Sequence, residues 1–97
     1  MNIILFNELV NEVYTNKCHE SFEEILVDID NIITRAAQNT HVRYDDKILN
    51  EVEDIKQEIK IKMYIDFTSI SFKFTDMEQV ERYIFETAEE VLQETRG

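Results

Sequence analysis

Internal glycine and proline are both missing: the sole glycine of this 97-residue chain is its last residue, and there is no proline. Loops that cradle phosphates use glycine so that the backbone can approach the ligand closely. Walker-type and dinucleotide-binding loops, and a glycine-dependent nucleophile elbow, are therefore excluded in their usual forms. Tryptophan is absent, and Cys18 is the one cysteine. A lone cysteine forms no internal disulfide, so the fold needs no oxidising compartment and a cytoplasmic location is expected. Basic residues are scarce, 10 against 21 acids, for a net charge of −11. That charge repels nucleic acid and anionic lipid, so neither is expected as a direct partner. No apolar run approaches the ~20 residues of a membrane span. The short run at residues 3–6 lacks the basic flank and cleavage site of a signal peptide.

What is present suffices for a core. Hydrophobic residues make up 43% of the chain, which argues against disorder despite the charge. A chain of this length buries about 65% of its unfolded surface without staples. Three stretches read as amphipathic helices. Residues 3–15 place Phe6, Leu9, Val10 and Val13 on one face. Residues 22–38 place Phe22, Ile25, Leu26, Ile29, Ile33 and Ala36–Ala37 on another, with Ser21 and Glu24 at capping-box spacing and Asn39 as a left-handed stop. Residues 76–95 carry Met77, Val80, Ile84, Ala88, Val91 and Leu92, after a second capping box at Thr75 and Glu78.

Between the last two lies an alternating pattern. Ile59, Ile61, Met63, Ile65 and Phe67 alternate with Lys60, Lys62, Tyr64 and Asp66, which predicts a half-buried strand over 58–67. Ile70, Phe72 and Phe74 predict a second over 70–75, paired with the first through a four-residue loop. Two strands alone are marginal, so residues 41–44 are taken as a third and 46–57 as a short helix through Ile48, Val52 and Ile55. The competing reading continues that helix into residues 60–64. The expected fold is thus one α+β domain over 1–97, a hairpin or three-stranded antiparallel sheet packed against three to four helices.

Charge is unevenly spread. Residues 1–40 hold 7 acids and 2 bases, residues 41–75 hold 7 and 6, and residues 76–97 hold 7 and 2. On the last helix Glu86, Glu90 and Glu94 recur every four residues, about 6 Å apart along the axis, with Glu89 beside them. Glu24 and Asp28 repeat this spacing on the second helix, near Glu23 and Asp30; Glu8 and Glu12 repeat it on the first. Lysine partners at i+4 are mostly missing from these rows, although like charges so spaced destabilise a helix slightly. The commonplace explanation is a solvated face. The sharper one is a carboxylate surface shaped for a cationic groove.

Other constellations are weak. Cys18–His19, or Cys18 with His41, lacks an oxyanion site. Cys18, His19, His41 and Asp45 lack zinc-ligand spacing. Asp28 and Asp30 resemble the start of a calcium loop, but Ile33 stands where that loop needs glycine. Asp66 reads as a surface partner of neighbouring lysines. Tyr64, on the polar face of the expected hairpin, is a candidate interface anchor; the commoner alternative is that it packs under another helix. No catalytic residue, metal site or cofactor is expected.

These features predict a small protein-binding inhibitor rather than an enzyme. Glu23, Glu24, Asp28, Asp30, Glu86, Glu89, Glu90, Glu94 and Tyr64 would meet the basic surface of a nucleic-acid-binding protein, in place of a phosphate backbone. In size, charge and lack of catalytic motifs the chain is similar to phage-encoded inhibitors of host defence, such as anti-CRISPR and anti-restriction factors. That likeness is compositional and carried by no motif. The alternatives are an antitoxin or immunity-type neutraliser of a nuclease, and a non-catalytic homo-oligomeric adaptor, such as a homodimer, joined through the hairpin edge.

Overall fold

The computed structural model describes residues 2–44 and 52–96, and for residues 41–44 and 95–96 the backbone alone. Among these described residues five helices follow one another: α1 (Ile3–Asn16), α2 (His19–Asp28), α3 (Asp30–Tyr44), α4 (Val52–Ser69) and α5 (Met77–Arg96). No strand occurs among the described residues, so the expected α+β fold is corrected to an all-helical one. Helices α3, α4 and α5 pack against one another, and α1 joins them along α4 while also packing on α2. Their apolar stripes meet in one core.

The predicted 58–67 strand is the body of α4. Ile55, Ile59, Met63 and Phe67 are all buried, whereas Ile61 and Ile65 are 53% and 57% exposed. An alternating run contains every fourth residue too, so this pattern satisfies both a strand and one stripe of a helix. Two features decide for the helix. The stripe extends back to Ile55, outside the alternation. Glu53, Lys56, Gln57, Glu58, Lys60, Lys62 and Met63 are also good helix formers, with no breaker among them. The competing reading, a helix running on through 60–64, was the nearer one. The early part of the expected 46–57 helix lies outside the described residues, up to position 51. Residues 41–44 are the last turn of α3 rather than a third strand.

Residues 70–75, predicted as a strand, lie outside any helix and have no strand partner among the described residues. The Asn7 side chain of α1 takes a partner's place: its Nδ2 donates to the Phe74 carbonyl at 2.8 Å and its Oδ1 accepts from the Phe74 N–H at 2.9 Å. One amide thus satisfies both backbone groups of a buried residue outside any helix.

Local signals succeed at some helix ends and fail at others. Asn2 Oδ1 caps α1 by accepting from the Leu5 N–H at 2.9 Å. At its far end Lys17 takes the left-handed conformation, φ 53°. That costs a non-glycine residue about 1 kcal/mol. The lysine offsets the cost by donating through Nζ to the Thr68 carbonyl at 2.6 Å, at the C-terminal turn of α4. Asp76 Oδ1 accepts from the Gln79 N–H, and Gln79 Oε1 accepts from the Thr75 N–H. The reciprocal cap of α5 therefore sits one residue along from the expected Thr75–Glu78 pair. Ser21 caps nothing: it is buried inside α2 and donates to the Glu12 carboxylate of α1. The expected 22–38 helix starts earlier, at His19, and breaks at Ile29 (φ −106°, ψ 14°). It then runs through Asn39, which is helical and not a stop.

Phe67 is surrounded by the rings of Phe22, Phe72, Phe74 and, from α5, Tyr83. Its hydroxyl donates to Asp66 Oδ2 at 2.7 Å, so Asp66 serves a tyrosine rather than the expected lysines. Burial, and then the hydrogen bond to Asp66, hold the Tyr83 phenol well above its ordinary 10.0. A pKa raised by folding gives stability that is complete below the unfolded pKa and lost as pH rises beyond it. The protein should therefore lose stability above pH 10. Tyr83→Phe should cost about 1 kcal/mol at pH 7 and flatten the alkaline decline in urea titrations. A residual slope should persist from Lys62, whose ammonium is also favoured by folding, chiefly through its hydrogen bond to Glu94. An unchanged alkaline slope in Tyr83→Phe would rule out the phenol as its source.

Candidate functional site

The acids fall into two sets with different surroundings. On α2, Glu20, Glu23, Glu24 and Asp28 are exposed and have no ion-pair partner among the described residues. Helix α2 has no lysine or arginine of its own. Glu8 and Glu12 of α1 are exposed as well; the Ser21–Glu12 hydrogen bond brings Glu12 against α2, whereas Glu8 lines a groove with Ser71, Phe72 and Lys73. The α2 carboxylates thus form an acidic surface that no described ion pair neutralises.

The acidic row of α5 is different. Lys62 of α4 reaches across to it, with Nζ 2.7 Å from Glu94 Oε1 and 3.5 Å from Glu90 Oε2. The lysine partners missing at i+4 are supplied partly by a neighbouring helix. Glu86 remains exposed without a partner among the described residues, and Glu89 is half-buried and engaged within the fold. Asp30, at the start of α3, is paired with Lys56 at 3.4 Å.

Tyr64 lies on no sheet. It is half-buried on α4, stacked on His19 (centroids 5.4 Å apart, 9° between planes) and edge-on to Phe22 at 5.1 Å. Helices α2 and α4 do not pack closely, and these three rings bridge them. The result is an open groove floored by Phe22, Leu26 and Tyr64, with Glu23 on one rim and Lys60 on the other. Ile61 and Ile65 form its α4 edge and also line a second groove, shared with Val91, Glu58 and Glu94 beside α5.

The structure therefore gathers Tyr64, Glu23 and Glu94 around a ridge made by Ile61 and Ile65. Glu24 and Asp28 lie on the adjoining α2 surface; Asp30, Glu86 and Glu89 do not line either groove. Sequence reading missed Ile61, Ile65 and the 75% exposed Val27. The signal that could have found the isoleucines is the four-residue spacing of Ile55, Ile59, Met63 and Phe67, which turns Ile61 and Ile65 about 200° from Ile59 and Met63.

Cys18 precedes α2, with its sulfur 3.3 Å from the Ser21 hydroxyl, and His19 is occupied by its stack on Tyr64. Among the described residues no three His, Cys, Asp or Glu side chains are gathered as metal ligands; the side chains of His41 and Asp45 lie outside them. No described helix is long and apolar enough to cross a membrane. Compared with known proteins, the chain matches no family model, no curated protein and no solved structure.

Proposed function

We propose that this chain is a non-catalytic binding protein that occupies a basic, nucleic-acid-handling surface of a partner protein. The observation that carries the reading is the set of α2 carboxylates, Glu20, Glu23, Glu24 and Asp28, exposed and unneutralised among the described residues. Exposed acids are ordinary; four on a ten-residue helix with no base is a net repulsion that a solvated face does not require.

Linear charge density supports a two-helix contact over a one-helix contact. An i, i+4 row carries one charge per about 6 Å of helix axis, whereas one DNA strand carries one per about 3.4 Å. A single row is therefore about half as dense as the phosphate strand it would replace. Glu12 of α1, held beside α2 by Ser21, adds to the α2 acids and raises the density of that surface. Of the expected rows, the one on α5 is weakened for this role by Lys62. A partner that is a nuclease, making this chain a neutraliser, uses the same surface and the same physics.

The test is capture of partners from lysate of the cell in which the protein acts, followed by rising salt and by competing DNA. Release of an identified basic nucleic-acid-binding protein by both is the expected result. Glu20→Gln, Glu23→Gln, Glu24→Gln and Asp28→Asn combined should weaken its binding about tenfold to a hundredfold, at about 0.5 kcal/mol or more per lost charge. The fold should be as stable or slightly more so. Unchanged affinity in the neutralised variant would sink the carboxylate-mimic reading.

A further inference from the structure

We infer that the Ile61–Ile65 ridge and its two flanking grooves form a docking surface for an amphipathic helix of the partner protein, apolar along one face and basic on both flanks. The inference rests on the preceding reading that the partner is basic, and adds the shape of what it presents.

Ile61 and Ile65 are one turn apart on α4 and more than half exposed. A turn-to-turn pair of this kind is matched by a helix whose apolar residues also recur every three or four positions. The grooves beside the ridge give such side chains somewhere to go. One is floored by Phe22, Leu26 and Tyr64, the other by Val91. An acid with no described ion pair stands on each outer side, Glu23 towards α2 and Glu58 towards α5, while Glu94 is held by Lys62. Val27, 75% exposed beside Glu23, extends the apolar surface along α2. Lys62 is already held by Glu90 and Glu94, so Lys60 is the base left facing the groove without a described partner. Charge complementarity thus selects a basic-flanked occupant. It disfavours a second copy of this chain, since each copy carries −11, and an anionic membrane for the same reason.

The test uses three synthetic peptides of 18 residues, the length of α4. The first has leucines at i, i+3, i+4 and i+7 with arginine flanks. The second has the same composition with scrambled order, and the third has glutamate flanks. Binding to the intact protein is read by fluorescence anisotropy, with methyl NMR shifts at Ile61 and Ile65. The first peptide should bind at least tenfold tighter than either control and move both methyls. Ile61→Ser with Ile65→Ser, checked for helicity, should abolish that advantage. Equal binding of the scrambled basic peptide, or unaltered binding to the double variant, would overturn the docking surface while leaving the charge reading intact. Equal binding of the glutamate-flanked peptide would overturn the basic-flank assignment, and no binding of any peptide would overturn the whole. A dimer in sedimentation that the double variant dissolves would assign the ridge to self-association instead.

Discussion

Phe67→Ala should lower the unfolding free energy by about 3–5 kcal/mol, a large share of the roughly 5–15 kcal/mol a domain possesses. Phe67 is fully buried near the C-terminal end of α4. Its ring lies 5.4 Å from Phe72, 5.7 Å from Tyr83, 6.3 Å from Phe22 and 6.4 Å from Phe74. Three other pieces of chain therefore meet on this α4 side chain: α2, the segment before α5, and α5 itself. Truncation removes buried area and leaves a cavity walled by rings, which are too rigid to collapse into it. The segment carrying Phe72 and Phe74 suffers most, because beyond those rings it is tied down chiefly by the Asn7 amide. Phe67→Leu, which keeps most of the volume, should cost about 1.5 kcal/mol or less. Both values are read from urea denaturation followed by helical circular dichroism. A cost below about 1 kcal/mol for the alanine variant would show that the aromatic cluster is not packed as described.

The legible parts of this fold are those where one period dominates. Phe6, Leu9, Val10 and Val13 read as a helical face and are all buried. Val80, Ile84, Ala88, Val91 and Leu92 do the same for α5. Helix α4 was illegible because its apolar residues also fall on every second position, and the sequence has no glycine or proline to mark where a hairpin would turn. The bend at Ile29 gave no local sign either. It keeps the backbone hydrogen bonds of its flanks, with the Ile29 N–H donating to Ile25 and its carbonyl accepting from Ile32 and Ile33. At the candidate site, the exposure of Glu20, Glu23, Glu24 and Asp28 follows directly from the α2 stripe. The pairing of Lys62 with Glu94 does not, because it joins residues 32 positions apart. A hairpin would place Ile61 and Ile65 in the core with Ile59 and Met63, so the alternation that mimics a strand also conceals the most exposed apolar feature of α4.

A pair of single substitutions separates the two architectures and bears on the docking surface at once. Ile59→Ala should cost about 2–5 kcal/mol, because Ile59 is fully buried in the shared core. Ile61→Ala should fall within about 0.5 kcal/mol of the parent, since it trims an exposed side chain and replaces isoleucine with a better helix former. In a strand both residues point to the same face, and both substitutions would be costly. The ratio of the two effects therefore reports the period of the segment without any further structure. It also governs how the peptide experiment is read. If Ile61 is dispensable for folding, its side chain contributes no intramolecular packing worth keeping, and loss of peptide binding in the serine double variant belongs to the surface itself. If Ile61→Ala proves as damaging as Ile59→Ala, the ridge is part of the core, and both the helical assignment of α4 and the docking surface built on it fall together.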